Sequence, residues 1–171
     1  LARGETGEKL ADAIRRMVGE SRRAADVVRR LRDFFRTGST TLESVVLGDL
    51  MDQAAAPFAA RAESSGVELV VDRRADATLL ADRLQLEVVL RNLLQNAFEA
   101  VAERPEGRRR VSLKVAAEGA GRACVTVEDS GAGFTEAAQR RLFSAFQSTK
   151  SSGLGLGLVM SRAIVEAHGG Q

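Results

Sequence analysis

The chain has no tryptophan and no tyrosine, so its seven phenylalanines are its entire aromatic content. A surface that binds nucleic acid by base stacking needs a fuller aromatic platform. A net charge of +2, from 25 Lys and Arg against 23 Asp and Glu, leaves no electrostatic footprint for a polyanion either. Nucleic acid is therefore not an expected partner. The densest basic run, Arg104-Pro-Glu-Gly-Arg-Arg-Arg110, is interrupted by Pro105 and Gly107 and reads as a solvated turn between a helix and a strand. A single cysteine excludes a disulfide framework, and Cys124, set in an alternating strand, is expected to be buried packing. No apolar run approaches the roughly 20 residues of a membrane span, and no signal peptide opens the sequence. The expected location is cytoplasmic, without direct membrane contact, and an anchor elsewhere in a longer protein stays open. What remains, 44% hydrophobic and 28% charged residues over 171 positions, suffices for one medium core plus a helical extension.

Against that background three segments of the C-terminal half stand out in order: Asn92-Leu-Leu-Gln-Asn96-Ala-Phe-Glu99, Asp129-Ser-Gly131-Ala-Gly133-Phe134, and Gly153-Leu-Gly155-Leu-Gly157-Leu158. At 100° per residue, Asn92, Asn96 and Glu99 fall within a stripe roughly 60° wide on one helix face. Val88, Val89, Leu93, Ala97 and Val101 make the rest of that helix apolar enough to be buried, so its polar stripe needs partners. A ligand is one such partner; an amide pair capping neighbouring loops is the other. Asp129 stands at the exit of the β-branched run Ala123-Cys-Val-Thr-Val-Glu128, where a carboxylate is placed to accept a hydrogen bond from an exocyclic amine such as that of adenine. Gly131 and Gly133 allow backbone to approach a ligand closely, although Asp-x-Gly-x-Gly by itself also fits a plain turn. The third segment leads through three glycines into an apolar-periodic helix, whose free N–H groups suit phosphate. It is not a P-loop, because Lys150 precedes the glycines, and it is not a dinucleotide fingerprint, because positions 158 and 160 are leucine and methionine.

The N-terminal part carries a different signal. Leu10, Ile14, Met17, Ser21, Ala24, Val28, Leu31 and Phe35 alternate in spacing by four and three, which is a heptad seam. A helix from about 9 to 37, ended by Gly38, is expected to pair with other helices in a homodimer. Gly38-Ser-Thr-Thr41 is the best linker, dividing residues 1–38 from a second unit, 39–171. Along that unit the patterns predict a short strand near 42–46, a helix from about 49 to 64, strands at 67–71 and 78–81, and the asparagine helix started by an Asp82/Gln85 capping box. Strands near 111–116 and 123–128, a short lid helix and a final helix follow. The expected class is α+β, a two-layer sandwich with helices on one face of a mixed sheet.

Taken together, the segments resemble the ATP-binding domain of sensor histidine kinases, within the wider group that includes the Hsp90, gyrase and MutL ATPases. The resemblance runs from about Leu42 to the end, and Leu142-Phe-Ser-Ala-Phe-Gln-Ser-Thr-Lys150 and Ile164-Val-Glu-Ala-His-Gly-Gly170 are similar to that family's phenylalanine box and closing His-Gly-Gly. The wording is most similar to the nitrogen-regulation and oxygen-sensing branch. The resemblance implies ATP and Mg²⁺ as ligands, with Asn96 on the metal, Asn92 beside it and Glu99 in support. It implies Asp129 on the adenine amine, Gly131 and Gly133 beneath the base, and Lys150, Gly153, Gly155, Gly157 and Leu158 at the phosphates. The ATPase relatives carry a water-activating glutamate at the position of Asn92, so an amide there implies transfer to another acceptor. It further implies a response-regulator receiver domain as partner and a first bundle helix bearing the phosphorylated histidine. That helix is not found here, and the last strands of the domain are also expected beyond Gln171. The only histidine, His168, reads as structural. An ATPase of the same fold and a non-catalytic dimeric scaffold are the competing readings.

Overall fold

The computed structural model describes residues 41–73, 77–119, 121–144 and 155–171, together with 14, 16–19, 21 and 25 of the N-terminal segment. Of the heptad seam, Ile14, Met17 and Ser21 are helical and exposed; its other positions, and the linker at 38–40, lie outside the described residues.

Strand β1 (Glu43–Val46) pairs antiparallel with β3 (Thr78–Ala81), Val45 opposite Leu79, as a two-stranded ribbon. Helix α1 (Leu47–Ala55) leaves β1 directly, and the Leu47 N–H donates to Ala77 O at 2.9 Å, tying the helix start to the entry of β3. The expected helix from 49 to 64 is two helices. Pro57 has no N–H to continue the ladder, so α1 ends at Ala55, a 3₁₀ turn occupies Ala56–Phe58, and α2 (Ala59–Ser64) follows. Gly66, at φ +62°, turns the chain into β2 (Val67–Asp72).

The second sheet has the order β2-β4-β5 and is mixed. Strand β4 (Arg109–Gly119) runs parallel to β2, and β5 (Arg122–Asp129) returns antiparallel, Val111 opposite Asp129 and Leu113 opposite Val127. Between β3 and β4 the chain forms α3 (Arg83–Val101), which packs against α1, β4 and β5 and against the last helix, α5 (Gly157–Ala167); α4 (Glu136–Gln139) is a single turn. The core is continuous through Leu50, Met51 and Ala54 of α1, Leu90, Leu94, Ala97, Phe98 and Val101 of α3, and Val111, Leu113 and Val115 of β4. Phe58 closes it, its ring 5.2 Å from that of Phe98. The α+β expectation holds, with the strands divided between a ribbon and a three-stranded sheet.

One packing expectation fails. Burial alternates along β5, and Ala123, Val125 and Val127 take the inward set, so Cys124 falls in the opposite parity and is exposed. With a side-chain period of two, Ala123 and the two valines fix the register and leave the cysteine outside. The same outward face carries Glu128, whose carboxylate accepts hydrogen bonds from Lys114 Nζ and from Ser112 Oγ across the β4–β5 pair. The Lys114 hydrogen bond, followed by that of Ser112, holds the Glu128 carboxyl below its usual range. A lowered folded-state value means that the stabilisation is present above the unfolded-state value and is lost as pH falls through the folded one. The melting-temperature difference between wild type and Glu128→Gln should therefore be small, measurable at neutral pH and absent in acid. In the core, Leu94 has no exposed surface. Leu94→Ala should cost about 2–5 kcal/mol in urea unfolding, since the removed methyl groups leave a cavity that α1 and β4 cannot collapse into.

Candidate functional site

Helix α3 is the element on which the singled-out segments meet. Its start is fixed by Asp82, whose Oδ1 accepts from the Gln85 N–H at 3.0 Å. The expected capping box is only half made. The Gln85 side chain lies 3.4 Å from Asp82 Oδ2 instead of accepting from the Asp82 N–H, and that N–H donates to His168 Nε2 at 3.0 Å. From this cap, burial of Val89, Leu90, Leu94, Ala97 and Phe98 turns the apolar arc to the core and leaves Asn92, Asn96 and Glu99 half-buried along one edge.

These three polar side chains have different surroundings. Asn92 Nδ2 donates to Ser161 Oγ at 2.9 Å, and Ser161 is buried on α5. The Glu99 carboxylate accepts from Gln95 Nε2 at 2.5 Å, and Gln95 Oε1 in turn accepts from Arg61 Nη1 of α2 at 3.0 Å. The Arg61 guanidinium also lies 5.3 Å from the centroid of Phe98, which fixes the far end of that chain. Asn96, between the two, makes no side-chain hydrogen bond to another of the described residues. Its amide oxygen is the type of donor a hard cation takes. No cluster of three or more His, Cys, Asp or Glu suited to a metal occurs among the described residues, so a cation here would draw most of its ligands from phosphate and water.

The two glycine segments reach α3 by close backbone approach. At Gly157 an added Cβ would lie 2.3 Å from Asn92 Oδ1, so the first residue of α5 rests directly on the asparagine. At Gly131 an added Cβ would lie 2.6 Å from Asp129 Oδ1 and 2.8 Å from the carbonyl oxygen of Ala100. The Asp129 loop is thus seated two turns further along α3. There Asp129 Oδ1 accepts from the Gly131 N–H at 2.8 Å in an Asx turn, and the residue is exposed. Asn92, Asn96 and Ala100 follow one another at intervals of four, so the two contacts stand about 12 Å apart with Asn96 midway. Gly133 and Gly155 adopt φ +72° and +66°, and Gly133 has open space where a Cβ would stand. The N-cap of α5 is Leu156, without a side-chain acceptor, so the first N–H groups of that helix keep no cap of the kind Asp82 gives α3. Leu158 is half-buried beside it. Lys150 and Gly153 lie outside the described residues.

Two participants were not anticipated. Ser161 is the one hydroxyl in the apolar run of α5, four residues from Gly157 and hence on the same face, and that placement was the available signal. Ala100 had none, because its contribution is a backbone oxygen and a small side chain.

Residues 81–171, more than half of the chain, match the model of the histidine kinase-, DNA gyrase B- and HSP90-like ATPases. The chain belongs to this family. Among sensor kinases it is 38% identical to the sensor protein FixL of Bradyrhizobium diazoefficiens over 95% of its own length. The chain spans 32% of the length of that relative. Of solved structures, the catalytic domain of the histidine kinase ThkA covers 75% of this chain and is itself covered over 82%, at 27% identity and a TM-score of 0.66. The full-length histidine kinase ShkA, in complex with AMPPNP, covers 84% of this chain with 31% of its own, at 29% identity and a TM-score of 0.70. The fold is therefore that of a histidine kinase catalytic domain.

Gly157→Ala tests the closeness of this arrangement. The new methyl group must displace the Asn92 amide and break its bond to Ser161, so urea unfolding should show a loss of about 1–3 kcal/mol. The side-chain amide resonances of Asn92 should move with it.

Proposed function

We propose that the chain is the nucleotide-binding catalytic part of a two-component sensor kinase, residues 39–171, joined to a dimerisation helix, residues 1–38. It binds Mg-ATP along α3 and directs the γ-phosphoryl to a histidine of the dimerisation domain, for relay to a response-regulator aspartate. The observation that carries this reading is the bracket on α3: two glycine-dependent backbone contacts, at Asn92 and Ala100, and between them an Asn96 amide with no side-chain hydrogen bond to another described residue. The AMPPNP of ShkA, at 29% identity, supports the same ligand class.

The family resemblance implies the roles, and the geometry of the described residues supports several of them. The second Asp129 oxygen accepts from the adenine amine, while its Asx turn to Gly131 holds it in place, and the open space at Gly133 admits the base. The uncapped N–H groups at the start of α5 face the phosphates, joined by Lys150 and by the backbone at Gly153, Gly155 and Gly157, with Leu158 anchoring the loop. Asn96 offers its amide oxygen to Mg²⁺, and Asn92 and Glu99, each held by a neighbour, keep the edge of α3 in place. A bound Mg²⁺ supplies charge to the phosphate oxygens, and positioning with charge neutralisation does most of the catalysis. His168 is not the acceptor, because both of its ring nitrogens are engaged inside the domain.

Calorimetric titration with ADP and a non-hydrolysable ATP analogue, with and without Mg²⁺, tests the reading. Asp129→Asn preserves the oxygen that accepts from Gly131 but turns a donor toward the adenine amine. It should weaken adenine-nucleotide binding by about 1.5–3 kcal/mol. Asn96→Ala should remove the Mg²⁺-dependent part of the affinity and leave the rest. Absence of binding by the wild-type chain sinks the proposal in favour of a scaffold.

A further inference from the structure

Helices α3 and α5 run antiparallel and touch at two polar points. One is the contact of Asn92 with Gly157 and Ser161; the other joins Asp82, at the start of α3, to His168, at the end of α5. Along α3 the points are ten residues apart, about 15 Å, and along α5 they are seven residues apart measured from Ser161 and eleven from Gly157, about 10 and 17 Å. The span on α3 falls between those two, so each contact constrains the other.

The Asp82 end is fixed from every side. The residue is 7% exposed, its Oδ1 accepts from the Gln85 N–H, and its Oδ2 accepts from the Thr41 N–H at 3.0 Å, where the chain enters the domain. Its own N–H reaches His168 Nε2, which must therefore be the unprotonated ring nitrogen, and Nδ1 donates to the Ile164 carbonyl at 2.8 Å. The imidazole thus bridges the last turn of α5 to the cap of α3. Apolar side chains along the interface permit axial sliding, since dispersion contacts carry little directionality, whereas this bond has one length and one direction.

We infer that His168 is a positioning residue for the nucleotide site: by bonding to the Asp82 N–H it sets the axial register of α5 on α3, and so places Gly157 opposite Asn92. The inference rests on the proposed nucleotide-binding role, but the register itself is a property of the free protein.

The two side-chain amides separate this role from simple stability. Glutamine at 168 extends its Oε1 to where Nε2 stands and keeps the acceptor for Asp82. Asparagine reaches only as far as Nδ1 and keeps the bond to Ile164 alone. With the 171-residue chain labelled with ¹⁵N, each variant being folded at the temperature used, His168→Ala and His168→Asn should shift the Asn92 side-chain amide resonances at the far end of the helix pair. They should also weaken Mg-ADP binding about tenfold. His168→Gln should keep the resonances and stay within about threefold of wild-type affinity. Asn92 resonances that stay in place in the alanine and asparagine variants, or that move equally in all three, overturn the inference. If the alanine variant does not fold, the asparagine and glutamine pair makes the same comparison. A wild type that binds no Mg-ADP overturns the nucleotide reading, while the Asn92 resonances still decide the register.

Discussion

Helix α3 has to satisfy two demands with one cylinder. Its apolar arc seals the core between α1 and the β4–β5 pair, and this fixes its rotation about its own axis. Fixing that rotation leaves Asn92, Asn96 and Glu99 at the boundary of the core, where a polar group without a partner is costly. The fold answers with neighbours of unusual closeness. A main chain without a Cβ lies on Asn92, another lies on Ala100, and a glutamine held by Arg61 steadies Glu99. Where those partners are placed follows from the burial of Leu90, Leu94 and Phe98, because a rotation of α3 large enough to expose any of these would withdraw all three polar edges together.

The glycines then act less as flexible joints than as distance constraints. At 157 and 131 the conformations are ordinary, and what excludes a side chain is the atom opposite. Gly133 and Gly155 differ, since their positive φ values are the requirement and there is space around Gly133. The two helix starts differ in the same functional sense. The cap of α3 is filled by a carboxylate from its own chain, which satisfies its N–H groups and its dipole, whereas α5 begins at Leu156 with neither satisfied by a side chain. Under the proposed reading, an anion has one helix start of this pair to choose.

The parts of this arrangement that depend on periodicity were legible in the residues. The apolar arc of α3, its cap at Asp82, the strands ending at Asp72, Ala81 and Asp129, two of them one residue past the expected end, and the final helix all follow from local pattern. Three things did not. The apolar pattern from 49 to 64 runs through Pro57 without a break, although the missing N–H of that residue interrupts the helix there. Cys124 was placed by residue type, when the parity of Ala123, Val125 and Val127 decides its face. The Asp82/Gln85 capping box reads as self-contained in the sequence, whereas the partner that replaces its second half, His168, lies 86 residues further on. Contacts of that separation leave no trace in a single sequence, and for the same reason Ser161 and Ala100 could not be tied to α3 in advance. The candidate site was legible as three segments in order, while their common dependence on one helix edge was not.

That dependence also bears on the choice between phosphoryl transfer and hydrolysis. A water-activating group must carry a basic lone pair and keep it directed at the water. The family resemblance puts such a carboxylate, in the ATPases, at the position of Asn92. An amide has no comparable basicity, and the geometry removes what freedom it has: the nitrogen is donated to Ser161, and the oxygen stands 2.3 Å from the place a Gly157 Cβ would take. Glu99, the carboxylate of the stripe, is engaged by Gln95 and through it by Arg61. The edge of α3 is thus built to hold and orient, with no free base beside Asn96 among the described residues. Under the proposed reading, a site of this composition favours passing a phosphoryl group to an acceptor brought in from outside over handing it to water.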